Sequence, residues 1–74
     1  MLVGVGELIE NTVYDLRMRA DKTQEEVASA LGVSRQTVIA IEKGNYTPSV
    51  LLALKIAHYF DMPLEKIFKI KHEK

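Results

Sequence analysis

Residues 23–44, TQEEVASALGVSRQTVIAIEKG, carry the signals for two short helices joined by a tight turn. The Thr23 hydroxyl can accept a hydrogen bond from the Glu26 backbone N–H, and the Glu26 carboxylate can accept one from the Thr23 N–H, which makes a capping box. A helix is therefore predicted to begin at Gln24. It is predicted to end at Gly32, because glycine adopts a left-handed backbone at little cost.

A second helix is predicted to begin after the N-cap candidate Ser34 and to end at Gly44. Apolar residues are expected on the facing sides of the two helices, at Val27, Ala28, Leu31, Val38 and Ile41. Two short helices joined by a glycine-containing turn are typical of a helix-turn-helix. The pattern alone also fits any other αα-corner, because every such corner needs a cap, a small turn residue and an apolar face.

Composition limits the chain to one small domain. It has 74 residues, ten Lys and Arg, ten Asp and Glu, and no cysteine. The lack of cysteine fits a reducing cytosol, and neither a signal peptide nor a membrane-spanning segment is recognisable, so we expect a cytoplasmic protein. With zero net charge, any binding to nucleic acid must depend on a few cations on one face.

Further helices are predicted on both sides of the central stretch. A first helix is expected over residues 12–20, with an earlier start near Glu7 left open, from apolar spacing at Ile9, Val13, Leu16 and Ala20. A longer helix is predicted after the cap Ser49 and is ended by Asp61. Its inner face is predicted to hold Val50, Leu54 and Ala57, with Tyr59 or Phe60, while Leu51, Leu52 and Ile56 widen the stripe. A last short helix is expected from Leu64 to about Phe68, where Ile67 closes the core.

Catalytic groups are sparse in this sequence. His58 and His72 have no metal-ligand spacing with each other or with a carboxylate, and the serines lack a partnered base. No Gly-rich phosphate loop is present. We therefore expect neither an enzyme nor a cofactor or metal site.

Letter by letter, the central stretch resembles the Cro and lambda-repressor type (XRE-like) helix-turn-helix family of transcriptional regulators. The usual run of that family is T-Q-E-E-L-A-x-x-L-G-V-S-x-x-T-I-x-x-I-E-x-G, followed by x-x-x-P-S, and nearly every position is matched through Thr47, Pro48 and Ser49. The resemblance implies an all-α, compact five-helix lambda-repressor-like domain over residues 11–68. Residues 1–10 are then an N-terminal extension and residues 69–74 a C-terminal tail.

The resemblance also implies which residues contact DNA. Arg35 and Gln36 fall at the start of the helix that enters the major groove, where Arg can bind guanine O6 and N7 and Gln can bind adenine N6 and N7. Thr37 and Ala40 resemble further groove-facing positions. The positions that contact phosphates are matched by Gln24, Ser34, Lys43, Asn45 and Tyr46, with core packing as the alternative for Tyr46.

A supporting pair is implied in the same way. An Arg at the position of Arg17 reaches the Glu at the position of Glu42 in this family and ties the first helix to the end of the recognition helix. Both residues are expected to be structural, with an indirect role in DNA binding.

The implied function is sequence-specific DNA binding by a transcriptional regulator, expected to be a repressor that reads a palindromic operator in double-stranded DNA as a homodimer. One alternative is an antitoxin-type autorepressor with a toxin as protein partner. Another is a protein-interaction module that kept the fold and lost DNA binding.

The two chain ends are expected to build the dimer. Apolar residues alternate with lysines over residues 68–71, which is strand-like, and so short a strand must pair with a terminal segment of the same or a second subunit. The predicted dimer interface consists of Val3, Val5, Phe68 and Ile70. The alternative is that both ends are frayed.

Overall fold

The computed structural model describes residues 7–72 and arranges them as five helices with a small terminal sheet. The elements in chain order are β1 (Glu7–Asn11), α1 (Val13–Arg19), α2 (Gln24–Leu31), α3 (Arg35–Glu42), α4 (Val50–Phe60), α5 (Leu64–Ile67) and β2 (Phe68–His72). The prediction of a five-helix domain with a strand-like end is confirmed. None of the helices in this part of the chain is long and apolar enough to cross a membrane.

Every helix contributes to one hydrophobic core. Its buried apolar residues are Val13, Val27, Ala28, Leu31, Val38, Ile41, Leu52, Ile56, Ala57 and Ile67. All five apolar positions predicted for α2 and α3 are among them, as is Ile67. The core therefore fixes the orientation of α2 and α3 relative to each other, and with it the placement of their exposed side chains.

The ends of α2 and α3 are fixed by the predicted caps. The Thr23 hydroxyl accepts from the Glu26 N–H at 3.0 Å, and the Glu26 carboxylate accepts from the Thr23 N–H at 2.8 Å. Gly32 ends α2 in the left-handed region, with φ of 74°. The Ser34 hydroxyl then accepts from the Thr37 N–H at 3.2 Å and opens α3.

The capping box makes stability depend on pH through Glu26. The hydrogen bond from the Thr23 N–H favours the carboxylate and lowers the pKa of Glu26 from its usual 4.5. The ionised Glu26 carboxylate therefore stabilises the folded state fully above its unfolded-state pKa. This stabilisation is lost as the pH falls through the lower folded-state pKa. In urea denaturation, we expect Glu26→Gln to show a smaller loss of stability between pH 6 and pH 3 than the wild type. Equal losses would contradict this role, because glutamine keeps the acceptor and removes only the titration.

The inner face of α4 was predicted wrongly in part. Val50 is 75% exposed and Leu54 is also exposed, whereas Leu52 and Ile56 are buried with Ala57. Apolar residues surround most of this helix, so two overlapping stripes have helical spacing and the sequence does not choose between them. The stripe that continues toward Tyr59 and Phe60 is the one that packs on the core.

The first helix begins within one residue of the start predicted at residue 12, and the earlier start near Glu7 that the apolar spacing left open is wrong. Ile9 belongs to β1, and α1 begins only at Val13. The reason is Asn11, whose side-chain oxygen accepts from the Val13 N–H at 3.0 Å, while its amide nitrogen donates to the Ile41 carbonyl at 2.9 Å. One side chain thus opens α1 and ties it to the last turn of α3.

The terminal strands pair with each other within one subunit. β1 and β2 are antiparallel, with Ile9 opposite Ile70 and Glu10 opposite Lys69. The strand-like prediction for the C-terminal residues is confirmed, and its pairing partner is the segment that precedes α1. Within the described residues the sheet has only these two strands, so each strand keeps one open edge.

Candidate nucleic-acid interface

The first turn of α3 projects the predicted base-contacting side chains away from the core. Val38 and Ile41 bury the opposite side of the helix, and this leaves Arg35 and Gln36 exposed at its N-terminus. The other two predicted groove-facing residues, Thr37 and Ala40, are half-buried on the same helix. The described chain therefore brings all four onto one short helix.

The hydroxyl groups beside this turn are already ordered. In addition to its capping bond, the Ser34 hydroxyl lies 3.1 Å from the Thr37 hydroxyl. The two hydroxyl groups are thus within hydrogen-bond distance of each other. Ser34 is exposed at the start of α3, where free N–H groups and the helix dipole favour an anion.

The predicted pair of Arg17 and Glu42 is present and almost fully buried. Arg17 Nε donates to Glu42 Oε2 at 2.6 Å, and Nη2 donates to Oε1 at 3.1 Å. The two side chains are 10% and 5% exposed. The hydrogen bond that Arg17 donates to Glu42 outweighs burial and raises the pKa of Arg17 above its ordinary value, so the guanidinium stays charged. This bidentate pair connects α1 to the last residue of α3.

Arg17 has two further partners that hold it in place. Its Nη1 donates to the Lys22 carbonyl at 2.9 Å in the turn before α2. The guanidinium also lies 5.4 Å from the centre of the Tyr14 ring, within range of a cation–π interaction. The pair therefore orders the α1–α2 turn as well as the end of α3.

Gln24 links this pair to the start of α3. Its amide nitrogen donates to Glu42 Oε1 at 3.1 Å, and its amide oxygen accepts from Arg35 Nε at 3.3 Å. From the sequence, Arg35 was assigned to base contact, Gln24 to phosphate contact and Glu42 to structural support. The hydrogen bonds that join these three residues were not predicted. Local spacing carries no signal for them, because Gln24 lies 11 residues from Arg35 and 18 from Glu42.

The loop after α3 presents the remaining predicted phosphate contacts to solvent. Lys43, Asn45 and Tyr46 are all exposed. Tyr46 is 44% exposed and lies outside the hydrophobic core, which decides against core packing for this residue. Gly44 permits the turn, with φ of 79°.

Charges of both signs are exposed near the starts of α2 and α3. Arg17 is neutralised by Glu42, but Lys22, Arg35 and Lys43 are exposed. A shallow groove of about 580 Å³ lies between the start of α2 and Arg35. Asp21 and Glu25 are also exposed in this groove, so Lys22 and Arg35 can bind an anionic backbone only as individual cations and not as part of a positive patch.

The predicted dimer residues are only partly described. Val3 and Val5 lie outside the described residues. Phe68 is half-buried and packs against the core, whereas Ile70 is 55% exposed on β2.

Comparison with known proteins shows that the chain is similar to helix-turn-helix transcriptional regulators. The family model described as "Helix-turn-helix" matches residues 13–67. The HTH-type transcriptional regulator YgzD of Bacillus subtilis (strain 168) is 49% identical over 65 residues, which cover 88% of this chain and 98% of that protein. The cryptic phage CTXphi transcriptional repressor RstR of Vibrio cholerae is 33% identical over 60 residues, covering 81% of this chain and 54% of the repressor.

A solved structure extends the similarity of fold to the terminal sheet. The crystal structure of the transcriptional regulator VanUg, Form II, superimposes with a TM-score of 0.76 over 99% of this chain and 97% of that one. The sequence identity is 23%, so this similarity concerns the fold.

Proposed function

This chain belongs to the Cro/C1-type (XRE) helix-turn-helix family of DNA-binding transcriptional regulators, and from that membership we propose that it is a repressor that reads a palindromic operator as a homodimer. The regulators of this family are not enzymes. The proposal therefore concerns which residues read DNA, how two copies assemble, and what binding does to transcription.

The observation that carries the proposal is the exposure of Arg35 and Gln36 in the first turn of α3. In a helix-turn-helix, the N-terminal residues of the second helix contact base edges in the major groove. Arg offers two parallel donors to guanine, and Gln offers a donor and an acceptor to adenine. Thr37 and Ala40, on the same helix, complete the proposed reading surface.

Phosphate contacts are proposed on both sides of this reading surface. Gln24 and Ser34 lie at the starts of α2 and α3, and Lys43, Asn45 and Tyr46 lie in the exposed loop that follows α3. Such contacts set the register of the protein on the duplex and add affinity without sequence preference.

Repression is supported by the similarity to RstR, which is named a transcriptional repressor. A reporter gene placed downstream of a DNA fragment that the protein binds tests this part of the proposal. Expression of the protein should lower reporter output, and the Arg35→Ala variant should restore it. Increased output with the wild type would identify an activator and contradict the proposal.

A homodimer is proposed because one motif reads only a few base pairs, too few to distinguish an operator from competing genomic sites. Two copies across a palindrome place their recognition helices about one helical turn apart. The terminal sheet is the proposed interface, since Ile9 and Ile70 lie opposite each other and are both exposed. Val3, Val5 and Phe68 complete the interface proposed from the sequence.

Ile70→Ser should therefore shift the protein from dimer to monomer and weaken operator binding through lost avidity. Ile70 is a cleaner site for this test than Phe68, which also packs on the core. Sedimentation equilibrium measures the change, and Leu51→Ser on the exposed side of α4 is the matched control. A dimer that survives Ile70→Ser but is lost in Leu51→Ser would place the interface at α4.

DNA binding itself is tested by electrophoretic mobility shift at moderate salt, with genomic fragments that include the region upstream of the protein's own gene. We expect one or a few fragments to shift at concentrations that leave the rest unbound. Equal retardation of all fragments, or of none, would contradict sequence-specific reading.

A further inference from the structure

Asn11 connects the terminal sheet to the recognition helix α3. It is the last residue of β1, and its amide nitrogen donates to the Ile41 carbonyl at 2.9 Å, across 30 residues of sequence. Its side-chain oxygen accepts from the Val13 N–H at 3.0 Å. One half-buried side chain therefore joins the end of the sheet, the start of α1 and the last turn of α3.

The Ile41 carbonyl belongs to the C-terminal end of α3, where the intrahelical donors run out. It also accepts from the Gly44 N–H at 3.0 Å, so Asn11 and the turn after α3 share one oxygen. The next residue, Glu42, is bound from α1 by Arg17. The end of α3 is thus fixed at two neighbouring residues, by Arg17 from α1 and by Asn11 from β1.

An open groove of about 840 Å³ lies between β1 and the turn after α3. Asn11 lies on one wall of this groove, and Glu42, Lys43 and Gly44 lie on the other. In a packed contact, interlocking side chains resist rotation of one element against another. Across an open groove that resistance is weak, so the hydrogen bond from Asn11 provides a large share of it.

The same sheet carries the proposed dimer interface. Ile9 lies two residues before Asn11 in β1, so the two side chains are on the same face of the sheet. Ile70 lies opposite Ile9, and the two are 55% and 42% exposed. In a dimer formed through these residues, Asn11 connects each recognition helix to the interface.

We propose that Asn11 is a positioning residue for half-site spacing, which holds each recognition helix at a fixed angle to the dimer interface. The inference rests on the proposed function, because it requires a homodimer formed through the terminal sheet and a recognition helix that reads DNA. One inserted base pair moves a half-site by about 3.4 Å along the duplex and by about 35° around it. A dimer with fixed recognition helices therefore binds one spacing better than its neighbours.

Asn11→Ser tests this role in competition binding. The probes are the palindrome that the wild type selects from randomised DNA and the same palindrome with one base pair inserted or removed at its centre. Serine keeps an oxygen that can accept from the Val13 N–H, but its shorter side chain has no donor that reaches the Ile41 carbonyl.

The preference of Asn11→Ser for the selected spacing should be about three- to tenfold weaker than that of the wild type. The limit is set by one hydrogen bond, because the preference that the bond supports cannot exceed the cost of breaking it. Base preferences within each half-site should be unchanged, since the first turn of α3 is not altered.

Two further variants separate positioning from general stability. Thr12→Val is the matched control, because Thr12 also donates from its side chain to a distant backbone carbonyl, that of Lys66 in α5 at 3.4 Å. This variant should keep the spacing preference of the wild type. Asn11→Asp keeps the acceptor for Val13 and removes the donor to Ile41, so it should lose the preference as Asn11→Ser does.

The distance between the two recognition helices gives a readout without DNA. The chain has no cysteine, so Gln36→Cys places one spin label per subunit in the first turn of α3. Electron–electron double resonance on the dimer should give a narrow distance distribution in the wild-type background and a broader one with Asn11→Ser. Thr12→Val should leave the distribution narrow. Equal widths in all three backgrounds would overturn the proposal.

The binding results also distinguish failure of this inference from failure of the proposed function. If the wild type prefers one spacing and Asn11→Ser keeps that preference, dimeric reading stands and the positioning role is overturned. If Asn11→Ser lowers base discrimination and spacing preference alike, Asn11 shapes α3 itself, which also overturns the role. If the wild type has no preference among the spacings, or its dimer survives Ile70→Ser, the homodimer through the sheet is wrong and the positioning role falls with it.

Discussion

Glu42→Ala is expected to lower the free energy of unfolding by about 3–5 kcal/mol, because it leaves the buried Arg17 charge without its partner. An arginine side chain stays protonated in proteins, so the guanidinium cannot lose its proton to relieve this cost. The amide of Gln24 loses an acceptor at the same time. A domain of this size has a total stability of only about 4–11 kcal/mol, so this loss is a large share of it. Urea denaturation followed by circular dichroism measures the change.

Two control variants identify the source of that loss. Glu25→Ala removes an exposed carboxylate at the start of α2 and should change stability by no more than about 0.5 kcal/mol. Glu42→Gln keeps an oxygen acceptor for Arg17 and should fall between the wild type and Glu42→Ala. If Glu42→Ala were as stable as Glu25→Ala, the pair would not hold α1 to the end of α3.

Arg35→Ala should reduce discrimination at one base pair of each half-site by about 1–3 kcal/mol, and Gln36→Ala should do the same at another. Each change removes hydrogen bonds to a particular base edge, so affinity for other sequences should change little. Competition binding against single-substitution duplexes measures the effect.

Lys43→Ala is the matched control for base reading. Lys43 lies in the exposed loop after α3 and is proposed to contact a phosphate. Its loss should weaken binding to all sequences alike and reduce the slope of log affinity against log salt by about one. If Arg35→Ala produced this uniform pattern, Arg35 would belong with the phosphate contacts.

The sequence predicted the features that local chemistry determines. Thr23, Ser34 and Ser49 each accept the helix-opening N–H expected of them, and Gly32 has the expected left-handed backbone. Asp61 likewise ends α4 with φ of 53°. These signals lie within four residues of their targets, so they can be recognised without knowledge of the tertiary structure.

The features that the sequence did not predict depend on tertiary packing. The side of α4 that faces the core was ambiguous, because Val50 and Leu52 both belong to apolar stripes. Contact with the rest of the core decided between the two stripes. The bridge made by Asn11 joins two positions 30 residues apart. The hydrogen bonds from Gln24 to Glu42 and from Arg35 to Gln24 also depend on tertiary packing, since they require the starts of α2 and α3 to lie side by side.

Selection of bound duplexes from a randomised DNA library, with the wild type and Arg35→Ala in parallel, tests the central claim most directly. We predict that the wild type enriches a palindrome whose half-sites are centred about one helical turn apart, with a guanine preference at one symmetric position. In the Arg35→Ala selection that preference should disappear while the other positions remain. No enrichment by the wild type, or identical preferences for both proteins, would contradict the claim that the first turn of α3 reads DNA sequence.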